Sequence, residues 1–225
     1  MQEQDRKTRL RLLSAAARLF AERGFAKVTV RDICKRAHAN VAAVNYHFHG
    51  KLGLYHEVLQ LAIRTMQETT TAAYETGKGK PPEQQLAAYV RVFLQRVVGE
   101  RHHDGWIHQL MMRELSDPTP ALEMVLDQVI RPRMAYLCHI ISKLLDAPVD
   151  AEPVARCAMS VHAQCVALIN PFAGKLSHAF ERTPEALDAM AEHIVRFSVA
   201  GVREVGRGEL SEPGVPSRSR EAPAS

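Results

Sequence analysis

The chain reads as all-helical and in two parts: an N-terminal three-helix unit with a helix-turn-helix, and a larger helical C-terminal domain. Three observations predict this. Hydrophobic residues make up 46% of the 225 residues while aromatics are 6% and glycines number 12, a composition that suits helices. Apolar residues recur at three- and four-residue spacing along most of the chain. Two short, capped helices joined by a tight turn lie between Thr29 and His47. That is the layout in which a second helix is presented to a DNA major groove.

The first helix is expected from Asp5 to Arg23, with Leu12, Ala15, Ala16, Leu19 and Phe20 as its buried stripe. Gly24 follows as the residue free to take the left-handed conformation that ends a helix. Thr29 opens the second helix as N-cap, and Asp32 supplies the acidic half of a capping box. Val30, Ile33, Cys34 and Ala37 share one face. The turn is His38-Ala39-Asn40, and Asn40 caps a third helix running from Val41 to His47. Its small residues Ala42 and Ala43 permit close approach to DNA. Asn40, Val41, Ala42 and Asn45 are the candidates for the groove floor, since Asn pairs with adenine and Val or Ala meets a thymine methyl. Val44 and Phe48 read as core.

Charge supports this reading. Residues 1–51 hold eleven cations against four carboxylates, a net +7 within a chain of net +4, so the remainder carries −3. Positive charge gathered at one end is the footprint of phosphate binding.

The run TRLRLLSAAARLFAERGFAKVTVRDICKRAHANVAAVNYHFHGKLGLYHEVL resembles the DNA-binding domain of TetR-family transcriptional repressors, in LFAERGF, TVRDI and NYHF-x-x-K. VNYHF and the later RELSDPTPAL and VIRPRM resemble the CecR branch. The resemblance implies that Thr29, Tyr46, His47 and Lys51 hold phosphates. Two positions depart from the family pattern: His38 and His49 stand where glycine is usual. A histidine in left-handed conformation costs about 1 kcal/mol relative to glycine.

A long helix from about Leu52 to Glu75 links the head to the body, and Gly77–Pro82 is a loop without the GK[ST] of a phosphate loop. Further helices are expected over about 82–101, 105–115 and 120–145, the last with Pro132 inside it as a kink or break. Two more follow over about 151–170 and 184–205. The first of these is apolar on nearly all sides, which calls for burial on more than one. A four-helix homodimer interface, as the family uses, answers that need; a central core helix in a monomer is the alternative. The domains are accordingly 1–52 (DNA binding), 53–206 (effector binding and dimerisation) and 207–225, a Gly-, Pro- and Ser-rich tail expected to be disordered.

Enzymatic signatures are missing: no GxSxG, P-loop or dinucleotide fingerprint occurs. Eleven histidines include the His102, His103 and His108 group, but none shows a strong metal spacing, and neither metal nor cofactor is expected. Cys34, Cys138, Cys157 and Cys165 are irregularly spaced and read as small buried hydrophobes of a reducing cytosol. No apolar run reaches the roughly 18 residues of a membrane span, and no signal peptide is evident, so the expected location is cytoplasmic. Phe93, Trp106, Leu110, Met111, Met134, Cys138 and His162 are candidates to line an effector pocket between helices, or equally to fill a core. The reading is therefore a homodimeric, ligand-responsive repressor. Its partners are a palindromic double-stranded operator and a small-molecule inducer, with control of efflux or transport genes implied by the CecR resemblance. Rival readings are an architectural DNA binder without effector, and a small-molecule carrier or enzyme whose basic head is incidental.

Overall fold

The computed structural model describes residues 2–99, 101–169 and 183–207, with the side chains of residues 2, 99 and 101–104 excepted. All regular structure among the described residues is helical. The elements are α1 (Gln2–Arg23), α2 (Val30–Ala37), α3 (Val41–Phe48), α4 (Lys51–Gly77), α5 (Pro82–Phe93), α6 (Arg101–Ser116), α7 (Leu122–Val125), α8 (Arg131–Leu145), α9 (Glu152–Ala167) and α10 (Pro184–Arg207). Two π-helical turns interrupt the α pattern: Leu94–Gly99 continues α5, and Leu126–Ile130 joins α7 to α8.

Local chemistry explains the first four helices. The capping box at Thr29 is complete: the Asp32 amide donates to the Thr29 hydroxyl at 3.2 Å, and the Thr29 amide donates to the Asp32 carboxylate at 3.0 Å. Asn40 caps α3 by accepting from the Ala42 amide at 3.0 Å. His38 and His49 end α2 and α3 at φ 49° and 57°, so both histidines do occupy the left-handed region where glycine is usual. Gly53 is required by contact. A Cβ there would lie 1.9 Å from the Phe48 carbonyl oxygen, so its absence lets α4 start directly against the end of α3.

Four threonines of the polar part of α4 return their hydroxyls to its own backbone. Thr65, Thr69, Thr70 and Thr76 each donate to the carbonyl four residues back. The stretch expected over 120–145 is interrupted next to Pro132, as the proline led one to expect, but by a π turn at Leu126–Ile130 and not by a loop. Pro132 has no amide to offer, and the chain passes through the π turn before α8. The carbonyl of Gln128, four residues before the proline, accepts from the Gln67 side chain at 3.1 Å. The helix expected over 82–101 likewise ends as α at Phe93, and α6 starts at Arg101, four residues earlier than the expected Gly105.

Two buried clusters hold the chain together. The first joins α1 to α4 (Leu12, Phe20, Ile33, Val44, Leu54, Leu59) with Ile107, Leu110 and Met111 of α6 and with Val125 and Val129. The second packs α5, α8, α9 and α10 around Leu86, Tyr89, Leu137, Ile140, Val154 and Ile194. Helix α4 contributes to both, so the longest of the described helices is the spine on which the two clusters sit. In α9, Val154, Ala158, Val161 and Cys165 face the second cluster, while Met159 on the other side is 58% exposed; Phe197 of α10 is 65% exposed. Asn170, expected within the α9 helix, lies outside the described residues. So does the tail after Arg207, which is itself the last residue of α10. No described helix is long and apolar enough to cross a membrane.

Candidate nucleic-acid interface

Helix α3 buries Val44 and Phe48, packs Ala43 against the same core, and turns Val41, Ala42, Asn45 and Tyr46 outward. Asn40, Val41, Ala42, Asn45 and Tyr46 are all exposed, Tyr46 at 73%. The face therefore offers short amides, small apolar groups and one phenol, with no carboxylate among them. Lys27, Arg31 and Lys35 are exposed on the neighbouring loop and α2. A small-featured face with exposed cations on the neighbouring elements suits a groove whose walls are phosphates.

The phosphate candidates occupy different settings. The Tyr46 ring stands edge-on to His47, centroids 4.9 Å apart, and projects from the helix. His47 points inward: its side chain is only 7% exposed, with Nε2 3.4 Å from the Asp5 carboxylate. The Thr29 hydroxyl serves the capping box, donating to Asp32 at 2.6 Å, and these bonds hold the Asp32 carboxyl below its usual range. The amide and hydroxyl of Thr29 are thus both engaged locally. Lys51 lays its ammonium over the Phe25 ring, 4.3 Å from the centroid, and donates to the Ala26 carbonyl at 3.5 Å. Partial burial pushes its pKa down. Arg9, half-buried, ties α1 to α4, bonded to Glu57 at 2.7 Å and lying over Phe48.

The head meets the body through a junction that sequence reading missed. Arg113 of α6 donates from Nε to the Ala21 carbonyl and from Nη2 to the Glu22 carbonyl, both at 2.6 Å. A cation there satisfies the unpaired carbonyls and the negative end of α1. The adjacent Glu114 is 1% exposed. It accepts from the Tyr55 hydroxyl of α4, and from the Thr119 amide and hydroxyl at 2.9 and 2.7 Å. Burial and the bond to Glu114 push the Tyr55 pKa well up. RELSDPTPAL thus contains a docking device: Arg113 holds α1, Glu114 holds α4, and Thr119 of the loop closes on the same carboxylate. The legible signal was an Arg-Glu pair followed five residues after Glu114 by a threonine, but nothing local says that it points inward.

The structure divides the seven residues expected to line a pocket. Trp106, Leu110 and Met111 pack in the first cluster, against the head. Phe93, Met134, Cys138 and His162 lie in or beside the second. Within the second, the His162 Nδ1 and the Tyr89 hydroxyl are 2.9 Å apart, and the Phe93 ring stands edge-on to His162. Burial, aided by the nearby charge of Arg133, pushes the His162 pKa down to about 4, so the imidazole is neutral at pH 7. A separate open cleft of about 520 Å³ is lined by Arg64, Gln67, Glu68, Thr71, Ala72 and Arg96, none of them in the expected set. The four cysteines are unpaired, and burial raises the thiol pKa of each, that of Cys165 to about 12. Of the histidines singled out by sequence, the side chains of His102 and His103 lie outside the described residues. No group of three or more His, Cys, Asp or Glu side chains gathers among the described residues.

Comparison with known proteins agrees with this architecture. Residues 12–58 match the family described as bacterial regulatory proteins, tetR family. Residues 82–202, more than half of the chain, match the C-terminal domain of the HTH-type transcriptional dual regulator CecR. The protein named probable acrEF/envCD operon repressor of Escherichia coli (strain K12) is 30% identical over 145 residues, which cover 63% of this chain and 62% of that protein. The protein named probable HTH-type transcriptional regulator YttP of Bacillus subtilis (strain 168) is 24% identical over 130 residues, covering 57% and 61%. The chain thus spans a little under two thirds of the curated relatives it matches. Among solved structures, a TetR-family transcriptional regulator from Streptomyces coelicolor has the same fold at TM-score 0.64 and 22% identity, covering 88% of this chain and 96% of that one. The TetR-family regulator PfmR of Thermus thermophilus superposes at TM-score 0.62 and 18% identity, covering 84% and 94%. Proteins of this family are DNA-binding transcriptional regulators rather than enzymes, and they form dimers. The chain belongs to the TetR family of bacterial regulatory proteins, with a C-terminal domain of the CecR type.

Proposed function

We propose that this chain is a ligand-responsive transcriptional repressor that binds a palindromic operator as a homodimer. The observation that carries the reading is the outward face of α3: Asn40, Val41, Ala42, Asn45 and Tyr46, exposed together on a head of net +7. In this reading residues 1–52 bind DNA. Asn40, Val41, Ala42 and Asn45 meet base edges, while Thr29, Tyr46, His47 and Lys51 face phosphates. His47 reaches a phosphate by leaving Asp5, and Thr29 by leaving its cap, so Tyr46 and Lys51 bear the larger share. Residues 53–206 bind an effector and dimerise through the exposed sides of α9 and α10, where Met159 and Phe197 offer apolar surface. Two copies then place their α3 helices in successive major grooves.

Release follows from the junction. An effector that binds one arrangement of the body better than another shifts α4 and α6, and Arg113 and Glu114 pass that shift to α1 and to Tyr55. The resemblance to the CecR branch motivates genes of efflux or membrane transport as targets.

Fluorescence anisotropy over a salt series, with DNA from upstream of the chain's own gene and a random duplex as control, tests the reading. A site bound about 10³-fold or more above random supports a specific regulator. Equal, salt-sensitive binding to both favours an architectural binder, and no binding at low salt removes DNA from the function. On a specific site, Tyr46→Ala and Lys51→Ala weaken binding on all sequences, and Lys51→Ala flattens the salt slope by about 1. Asn45→Ala changes base preference at one symmetric position, worth about 1–3 kcal/mol.

A further inference from the structure

Arg133 is a buried cation without an anion. It is 3% exposed, two residues after the residue that starts α8. Its Nε donates to the Thr70 hydroxyl at 3.2 Å and its Nη2 to the Met66 carbonyl at 3.0 Å, both on α4. The guanidinium carbon lies 5.4 Å from the centroid of the Phe93 ring. No described carboxylate is within ion-pairing distance of it, although eleven other ion pairs form among the described residues. A guanidinium has five N–H donors, so two bonds leave Nη1 without an acceptor. Among the described residues no fully buried side-chain nitrogen or oxygen lacks a partner, so Nη1 reaches open space beside the cluster.

The alternative is a purely structural arginine, and the bonds it makes argue against that. The Met66 carbonyl already accepts from the Thr70 hydroxyl at 3.3 Å, so Arg133 is not needed to satisfy it. An unpaired buried charge is expensive, and replacing such a group with a well-packed apolar one is often neutral or stabilising. The neighbours supply polarity without negative charge: Tyr89 and His162 bond each other at 2.9 Å, and His162 is neutral. Phe93 and Met134 supply apolar surface beside them.

We propose that Arg133 anchors the anionic head of the body's effector, a small amphipathic monocarboxylate, with Tyr89 and His162 as hydrogen-bonding neighbours and Phe93 and Met134 against its apolar part. The planar fork of arginine matches a carboxylate bidentately. One cation balances one negative charge, which selects a monoanion over a phosphate dianion. The inference rests on the reading of the body as an effector domain.

The test is calorimetric titration of the full chain with decanoate and 1-naphthoate, each against its neutral amide. The expected result is that at least one acid binds tenfold or more tighter than its amide. Arg133→Met brings the acid down to the level of the amide, and its ligand-free melting temperature is no lower than that of the native chain. Tyr89→Phe, which keeps the charge, weakens the acid several-fold less than Arg133→Met does. The anchor is overturned if neither acid outbinds its amide, if Arg133→Met binds acid as the native chain does, or if that variant melts several degrees lower without ligand. Operator binding on the same samples separates the two readings. Specific operator binding without acid preference leaves the regulator and removes the anchor. Arg133-dependent acid binding without operator specificity does the reverse.

Discussion

The head and the body handle polar groups in opposite ways. In α2 and α3 nearly every polar side chain either caps a helix end within three residues of itself or stands in solvent. In the body, the polar groups that matter are inside: Glu114, Arg133, Tyr89 and His162 find partners 5 to 73 residues away in sequence. A surface that reads DNA has to present its amides and cations outward. A domain that senses a small molecule and transmits its presence has to bury groups whose satisfaction depends on arrangement. The difference teaches where each half is vulnerable: the head to changes of local backbone geometry, the body to changes of protonation and pairing.

The largest expected effect breaks the head. Gly53→Ala puts a Cβ where the Phe48 carbonyl stands, 1.9 Å away, and α4 must move off α3. The expected loss is about 3 kcal/mol or more in urea denaturation, with loss of operator binding. An unchanged midpoint would show that the α3–α4 corner is not fixed by this contact.

The body's counterpart is pH. His162 has its pKa lowered from 6.5 to about 4 by burial and by the nearby Arg133, with Tyr89 as its hydrogen-bond partner. The fold therefore favours the neutral ring. Its contribution is fully present above pH 6.5, falls as pH drops towards about 4, and changes no further below that. The span is on the order of 3 kcal/mol, and His162→Gln flattens this acid limb in a melting-temperature profile. A profile equally steep in the variant would assign the limb to other groups.

The junction is next in size. Tyr55→Phe removes one donor from Glu114 while Thr119 keeps the other oxygen satisfied, an expected cost of about 1–3 kcal/mol. Combined with Glu114→Gln, the two changes should fall short of additivity by about 0.5 kcal/mol or more, and additive losses would show that they do not act as a pair. The smallest effect returns to the head. Thr29→Ala opens the capping box and costs about 1 kcal/mol, read by thermal denaturation.

The same contrast explains what the sequence could and could not say. Thr29 with Asp32 and Asn40 act on backbone within a few residues, so spacing placed them, and the resemblance to the family's glycine pattern placed the two histidines after α2 and α3. His47 is different. Its spacing sets it beside Tyr46, but its ring turns to Asp5, 42 positions earlier, a contact that only the packing of α1 on α3 creates. The pocket set failed as a set for a related reason. Trp106, Leu110 and Met111 share an apolar stripe with no mark of which core it faces, and α6 turned it to the head. Arg133 was legible only as part of a family-like motif. A charge in an apolar helix declares itself as buried once tertiary structure surrounds it. The break before α8 was readable because proline acts on its own backbone, though the π turn that absorbs it was not.

The most direct test of the account is selection of bound duplexes from a randomised pool by the native chain and by Asn45→Ala in parallel. The account predicts that the native chain enriches a two-fold symmetric site, and that the variant relaxes or changes one base at matching positions in both half-sites. A native pool with no enriched sequence, or an identical site from both proteins, would contradict the claim that the outward face of α3 reads DNA.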